Sequence, residues 1–143
     1  MNKINKINKM NKIIQLLKKH EGLRLKPYRD TVNKLTIGVG RNLDDRGISE
    51  EEANFLLKND INICLNELKT IFENFDEFPE NIKLVLIDMI FNLGKSRFLT
   101  FKKFIKAIKE KDIEKAIYEM TDSRWCSELP SRCKDDQKLL KLI

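Results

Sequence analysis

Apolar positions along the chain change period several times, and each change marks an element. Between Lys12 and His20, Ile13, Ile14, Leu16 and Leu17 are interrupted by Gln15 and followed by Lys18 and Lys19, which is helix spacing. Gly22 offers a stop, and Pro27 prevents a simple continuation. Residues 27–40 then read as a small β-hairpin. Tyr28, Val32, Leu35, Ile37 and Val39 supply β-type side chains, with the turn at Thr31-Val32-Asn33-Lys34. Gly38 and Gly40 suggest a bend or a close backbone approach. Residues 41–48 are a polar loop with a turn at Asp45-Arg46-Gly47.

From Ser49 onward the period is helical. Ser49-Glu50-Glu51-Glu52 fits a capping box, and Ala53, Leu56, Leu57, Ile61, Cys64 and Leu68 fall near one face of the helix it opens. Pro79 starts the next helix. Its segment Ile82 to Leu93 is apolar nearly all round and ends at Gly94, so it is expected at the centre of a bundle. Phe98, Phe101, Phe104, Ile105 and Ile108 mark a further amphipathic helix and are expected in the core. Ile113, Ala116, Ile117 and Met120 mark another, and a last short helix follows Pro130. The expected fold is α+β, predominantly helical, with a hairpin lobe at about residues 22–60. A helical lobe covers about residues 61–143 plus the first helix. A cleft between hairpin and bundle would be the natural ligand site.

Residues 1–10 belong to the repeated triplet N-K-I/M, a low-complexity leader expected to fray; the single domain is taken as residues 11–143. The leader has lysines but no apolar region or small-residue cleavage site after it, so a cleaved signal is not expected. No apolar run approaches the ~20 residues that span a bilayer, so stable membrane insertion is not expected. Cys64, Cys126 and Cys133 are odd in number and irregular in spacing, which argues against a disulfide framework and for buried or indifferent thiols made in a reducing cytosol. One histidine and no CxxC motif argue against a zinc site, and no metal or cofactor is implied. The net charge of +6 draws the chain to polyanions such as nucleic acid, anionic lipid or an acidic wall, without choosing among them.

The stretch from Glu21 to Gly40 holds the candidate chemistry. Glu21 lies at the end of the first helix and Asp30 nine residues later; Gly22 and Pro27 break any helix joining them, so they could meet across the helix-to-hairpin corner. Thr36 lies on the returning strand, where it could approach Asp30. Two carboxylates can divide the work of glycosidic cleavage. One stays protonated to give its proton to the leaving oxygen, and the other stays ionised to activate water or stabilise positive charge. Spacing alone makes this weak evidence in a chain with 22 acidic residues.

Order and spacing together add a resemblance. Glu21-Gly22-Leu23-Arg24-Leu25-Lys26-Pro27-Tyr28-Arg29-Asp30-Thr31, continued by Leu35-Thr36-Ile37-Gly38-Val39-Gly40, resembles the catalytic motif of the phage-type lysozymes, the endolysins related to T-even phage lysozyme. Met89-Ile90-Phe91-Asn92-Leu93-Gly94 resembles the end of that family's buried central helix. Ser123-Arg124-Trp125 with Pro130-Ser131-Arg132 resembles its C-terminal signature. The resemblance implies a lysozyme-like two-lobed fold, with Glu21 as general acid, Asp30 positioning or activating water, and Thr36 helping to hold it. It also implies a groove lined by Phe91 and Asn92, a pairing of Arg132 with Glu21, and support from Trp125. The implied substrate is the β-1,4 bond between N-acetylmuramic acid and N-acetylglucosamine in peptidoglycan, usually cut with inversion. The implied setting is a monomeric, antimicrobial endolysin held in the host cytoplasm until a holin-type lesion lets it reach the wall.

Two departures from the pattern stand out. Arg41 replaces a histidine that many relatives carry, and Asp44, Asp45 or Asp112 are its candidate partners. The segment between the hairpin and the second helix is also shorter than in the T-even enzyme, which implies a more open groove. Among rival functions, a lytic transglycosylase needs one acid/base glutamate and has no use for Asp30 and Thr36. A nucleic-acid-binding module would concentrate its basic residues on one recognition helix, whereas here they are spread and interleaved with acids. A wall-binding relative without activity is the third alternative.

Overall fold

The computed structural model describes residues 2–142. The chain is α+β and predominantly helical, and it divides into two compact units, Met1–Asn54 and Phe55–Ile143.

The first unit opens with helix α1, Lys3–Glu21. It begins nine residues before Lys12, the start that periodicity suggests. The Asn2 side chain caps it by accepting from the Asn5 amide at 2.9 Å. Gly22 ends it at φ 77°, its amide donating to the Lys18 carbonyl at 2.8 Å, as a glycine stop requires. None of the described residues of α1 is buried.

A three-stranded antiparallel sheet follows in the order β1 (Arg24–Arg29), β2 (Leu35–Gly38), β3 (Arg41–Asn42). Tyr28 pairs with Thr36 and Arg29 with Leu35, but Arg24 pairs with Gly38, so the register slips between Arg24 and Tyr28. Pro27 lies in that interval. It cannot donate to a ladder and is tolerated on this edge strand at an irregularity. The β2–β3 connection turns through Gly38 and Gly40 at φ 70° and 67°.

Helix α2, Glu50–Ile71, starts in the first unit and runs into the second. Its capping box forms: the Ser49 hydroxyl accepts from the Glu52 amide at 3.1 Å, and Glu52 accepts from the Ser49 amide at 2.9 Å. Only Cys64 and Leu68 are buried along it; Leu56 and Leu57, expected on the same packed face, are exposed.

The second unit contains a short 3-10 turn at Phe75–Glu77, then α3 (Glu80–Leu93), α4 (Lys95–Phe98), α5 (Lys102–Lys109), α6 (Ile113–Thr121), α7 (Arg124–Glu128) and α8 (Pro130–Leu140). The helix expected across Phe98–Ile108 is two helices, parted by a turn at residues 99–101. Phe72, Phe75, Phe78, Phe98 and Phe104 are buried, with neighbouring rings edge-to-face at centroid separations of 5.5–6.5 Å. Phe101, also expected in the core, is half-buried and packs on its margin. On α3, Val85, Leu86, Met89, Ile90 and Leu93 are buried, while Leu84 and Phe91 are exposed. The central helix is therefore apolar all round in sequence but packed on one side within its unit.

The cysteine reading is corrected. Cys126 on α7 and Cys133 on α8 form a disulfide, their Cα atoms 5.1 Å apart, and Cys64 is free and buried. The corner at Leu129-Pro130 folds α8 back against α7 and brings two cysteines seven residues apart into bonding range. An odd cysteine count does not reveal a corner of this kind.

Candidate active site

The hairpin turn holds Asp30 and Thr36 on one backbone group. The Asp30 amide and the Thr36 hydroxyl both donate to the Lys34 carbonyl, each at 2.9 Å. Asp30 Oδ1 also accepts from the amides of Val32 and Lys34 at 2.9 and 2.8 Å, a self-capped turn of the kind aspartate favours. Asn33 adopts φ 63° within it, a left-handed conformation that asparagine tolerates. Thr36 is buried and Asp30 half-buried. The Thr36 hydroxyl and the Asp30 backbone thus share one acceptor, and no hydrogen bond joins that hydroxyl to the Asp30 carboxylate.

Glu21 ends α1 with an exposed side chain. Its carboxylate lies over Gly40. A Cβ at Gly40 would stand 2.8 Å from Glu21 Oε2 and 3.2 Å from the carboxyl carbon. Gly40 is thus the close approach anticipated from its spacing, and the bare backbone there leaves room for a carboxylate. Gly38 faces open space, and its part is the turn alone.

Arg41 does not pair with Asp44, Asp45 or Asp112. Its guanidinium donates to Glu52 at 2.8 Å and to the Gly47 carbonyl at 3.2 Å. The hydrogen bond from Arg41, aided by the Ser49 amide, pulls the Glu52 carboxyl down to about 2. One acid thus caps α2 and anchors the strand that carries Gly40. Asp44 instead accepts from the Leu35 amide at 2.8 Å and faces Arg29 at 3.4 Å, while Asp45 faces Lys34 at 3.1 Å.

Phe91, Asn92 and Arg132 belong to the second unit. Arg132, which the resemblance pairs with Glu21, clamps Asp88: Nη2 donates to Oδ1 at 2.7 Å and to the Asp88 carbonyl at 3.0 Å, and Nε donates to Oδ2 at 3.0 Å. A planar guanidinium matched to a carboxylate in this way is held firmly in orientation. Asn92 accepts from the Trp125 indole N–H at 2.8 Å, which leaves its amide NH₂ for other partners, and Trp125 is buried. Phe91 is exposed and lines a cavity of about 530 Å³ with Leu57, Ile61, Ile87, Arg132 and Asp136.

Asp136 is a further acid that the sequence reading passed over. It is 2% exposed, and its Oδ2 has no hydrogen-bond partner. Burial, then the nearby Asp88 carboxylate, push its carboxyl up to about 8, against the opposing pull of Arg132. The signal available in sequence was an aspartate alone in the apolar run of α3 and another four residues after Arg132.

Comparison with known proteins bears on the family of the chain. The phage lysozyme family model matches residues 18–138. Probable T4-type lysozyme 2 of Dictyostelium discoideum is 30% identical over 149 aligned residues, covering 82% of this chain and 86% of that protein. Probable T4-type lysozyme 1 of the same organism is 30% identical over 152, covering 84% and 88%. A SAR-endolysin of Bacteriophage PS119 is 28% identical over 109, covering 73% of this chain and 62% of that protein. The chain belongs to the phage lysozyme family, and it is a glycoside hydrolase of the lysozyme type that acts on peptidoglycan.

Proposed function

We propose that the protein is a muramidase cutting the β-1,4 bond between N-acetylmuramic acid and N-acetylglucosamine, with inversion, in the service of bacterial wall lysis. The observation that carries the reading is the pair of acids in unlike settings. Glu21 is exposed over the bare backbone of Gly40, while Asp30 is fixed in a turn beside Thr36. Glu21, exposed at the end of a helix, can turn toward a leaving oxygen and protonate it. Asp30 has Oδ1 held by two amide donors, which fixes the carboxylate and leaves Oδ2 to take a proton from water. The Thr36 hydroxyl gives its hydrogen to Lys34, so its oxygen is left as an acceptor that can orient the same water. An inverting reaction places that water on the face of the sugar opposite the acid. Phe91 would offer an apolar surface to a sugar ring, Asn92 an amide, and Arg132 a positive edge for the acidic muramic acid. The net charge of +6 suits an anionic wall.

The test is digestion of purified peptidoglycan by the wild type and by Glu21→Gln, with product ends identified by mass and anomeric configuration followed during the first turnovers. Reducing muramic ends of inverted configuration, lost in the variant, are expected. Anhydro-muramic ends would make the protein a lytic transglycosylase and leave Asp30 without a role. Retained configuration would make Asp30 a nucleophile. No cleavage would leave a wall-binding protein.

A further inference from the structure

Helix α1 extends well beyond the family match, which starts at residue 18. Residues 3–14 are therefore a helical addition that the proposed chemistry does not use. On a helix advancing 100° per residue, Ile4, Ile7, Met10 and Ile14 fall within about 120° of the circumference, and Lys6, Lys9 and Lys12 occupy about 120° on the opposite side, while Lys3 falls inside the apolar arc and Ile13 on the lysine side. The four apolar side chains are 67%, 52%, 59% and 41% exposed. No acidic residue precedes Glu21, whereas Lys3, Lys6, Lys9, Lys12, Lys18 and Lys19 all do.

We propose that α1 is a membrane-surface anchor, lying in the interface of an anionic phospholipid bilayer with Ile4, Ile7, Met10 and Ile14 toward the acyl chains. A basic amphipathic helix gains from both parts of such a surface: the apolar face leaves water, and the lysines meet lipid phosphates. Charge decides against a second copy of the chain as the occupant. Pairing two α1 helices through the apolar face would press together Lys3 and Lys18, which fall within its arc, with no acid in residues 1–20 to offset them. The exposed apolar row decides against a wall polymer or nucleic acid, since a polyanion without hydrocarbon would leave that row in water. The association is peripheral, because no helix among the described residues is long and apolar enough to cross a membrane. It would hold the hydrolase at a bilayer bordering its substrate.

The experiment uses the full chain, co-sedimented at low salt with phosphatidylglycerol vesicles, with phosphatidylcholine vesicles, and with insoluble peptidoglycan. Two variants accompany it, Ile4→Asn/Ile7→Asn/Met10→Asn and Lys6→Gln/Lys9→Gln/Lys12→Gln. Expected is binding to phosphatidylglycerol and not to phosphatidylcholine, weakened on the order of a hundredfold by the lysine changes and about tenfold or more by the apolar changes. Hydrolysis of soluble wall fragments and the melting temperature should be unchanged in both variants. Equal binding to both vesicle types, or binding to phosphatidylglycerol that survives the apolar changes, would overturn the anchor. So would a melting temperature lowered by the apolar changes, which would show that face packed within the fold. Loss of peptidoglycan retention without vesicle binding would make α1 a wall-binding element instead.

Discussion

The hairpin unit and the helical unit hold their shapes by different means. In the helical unit, buried phenylalanines stack edge-to-face, and helices α3 to α8 close over them. In the hairpin unit, Thr36 is the buried residue among the described positions, and strand β1 is exposed at every position but the half-buried Tyr28. Its geometry rests on directed hydrogen bonds: two amides on Asp30, two donors on Lys34 O, and an arginine tied to a capping acid. Packing is strong and non-directional, so it builds a rigid body. Hydrogen bonds fix angles at small energetic scale, which is what positioning a carboxylate and a water requires. The proposed acids lie in the unit with little core, and the stability resides chiefly in the other.

This contrast can be broken by paired substitutions. Glu21→Gln should lower wall hydrolysis on the order of a thousandfold or more while leaving the unfolding curve in place. Phe98→Ala, which empties a wholly buried site, should cost about 3–5 kcal/mol in denaturant unfolding. If Glu21→Gln unfolded the protein, or Phe98→Ala left its stability untouched, the division between chemistry and core would fail.

Gly40→Ala sharpens the same division at one position. The new Cβ would meet Glu21 Oε2 and would sit at φ 67°. Strain of about 1–2 kcal/mol is expected from the backbone alone. Activity should fall about tenfold as the carboxylate is pushed aside, read as kcat on wall fragments. Gly38→Ala carries the same backbone strain without the contact, so a similar loss of activity in both would remove the special place given to Gly40.

The buried acid pair gives the helical unit a pH dependence. The Asp136 carboxyl faces Asp88, Arg132 and Asp135, and its value is raised from about 3.8 unfolded to about 8 folded. A raised value means the folded state keeps a proton that the unfolded state has released. Stability from this group is fully present below pH 4 and is lost as pH rises through 8. The loss should be on the order of a few kcal/mol, below the linkage ceiling of about 1.4 kcal/mol per pH unit between the two values, since the carboxyl is not wholly shut off from solvent screening. Asp136→Asn should flatten unfolding free energy between pH 4 and 8, and a slope equal to the wild type's would refute the assignment.

The smallest effect is expected in the hairpin unit and has the opposite sign. Glu52 is depressed to about 2, so its contribution is present above the ordinary carboxyl value of about 4.5 and fades as pH falls toward 2. Glu52→Gln should melt slightly lower than the wild type at pH 7, with the gap closing near pH 2. A gap that persists in acid would mean that Arg41 does not act through that charge.

Much of the candidate site was legible because it depends on short-range order. Asp30, Asn33, Lys34 and Thr36 make their bonds within six residues, and Gly22, Gly38 and Gly40 announce their backbone conformations by lacking a side chain. The capping box at Ser49 and the glycine stops at Gly22 and Gly94 read directly for the same reason. Local hydrogen-bond chemistry and hydrophobic period thus determined most of the helices and the hairpin from sequence, and the motif between Glu21 and Gly40 carried the resemblance to the family. Tertiary structure alone decided who meets whom at a distance. Arg132 has several acids at compatible sequence positions, and only the packing of α8 on α3 selects Asp88. Only the corner before Pro130 joins Cys126 to Cys133, and only the fold of the 41–52 segment gives Arg41 to Glu52. The physical reason is common to all three: a charge or a thiol carries no label for its partner, and the choice falls to whichever group the packed backbone brings within reach.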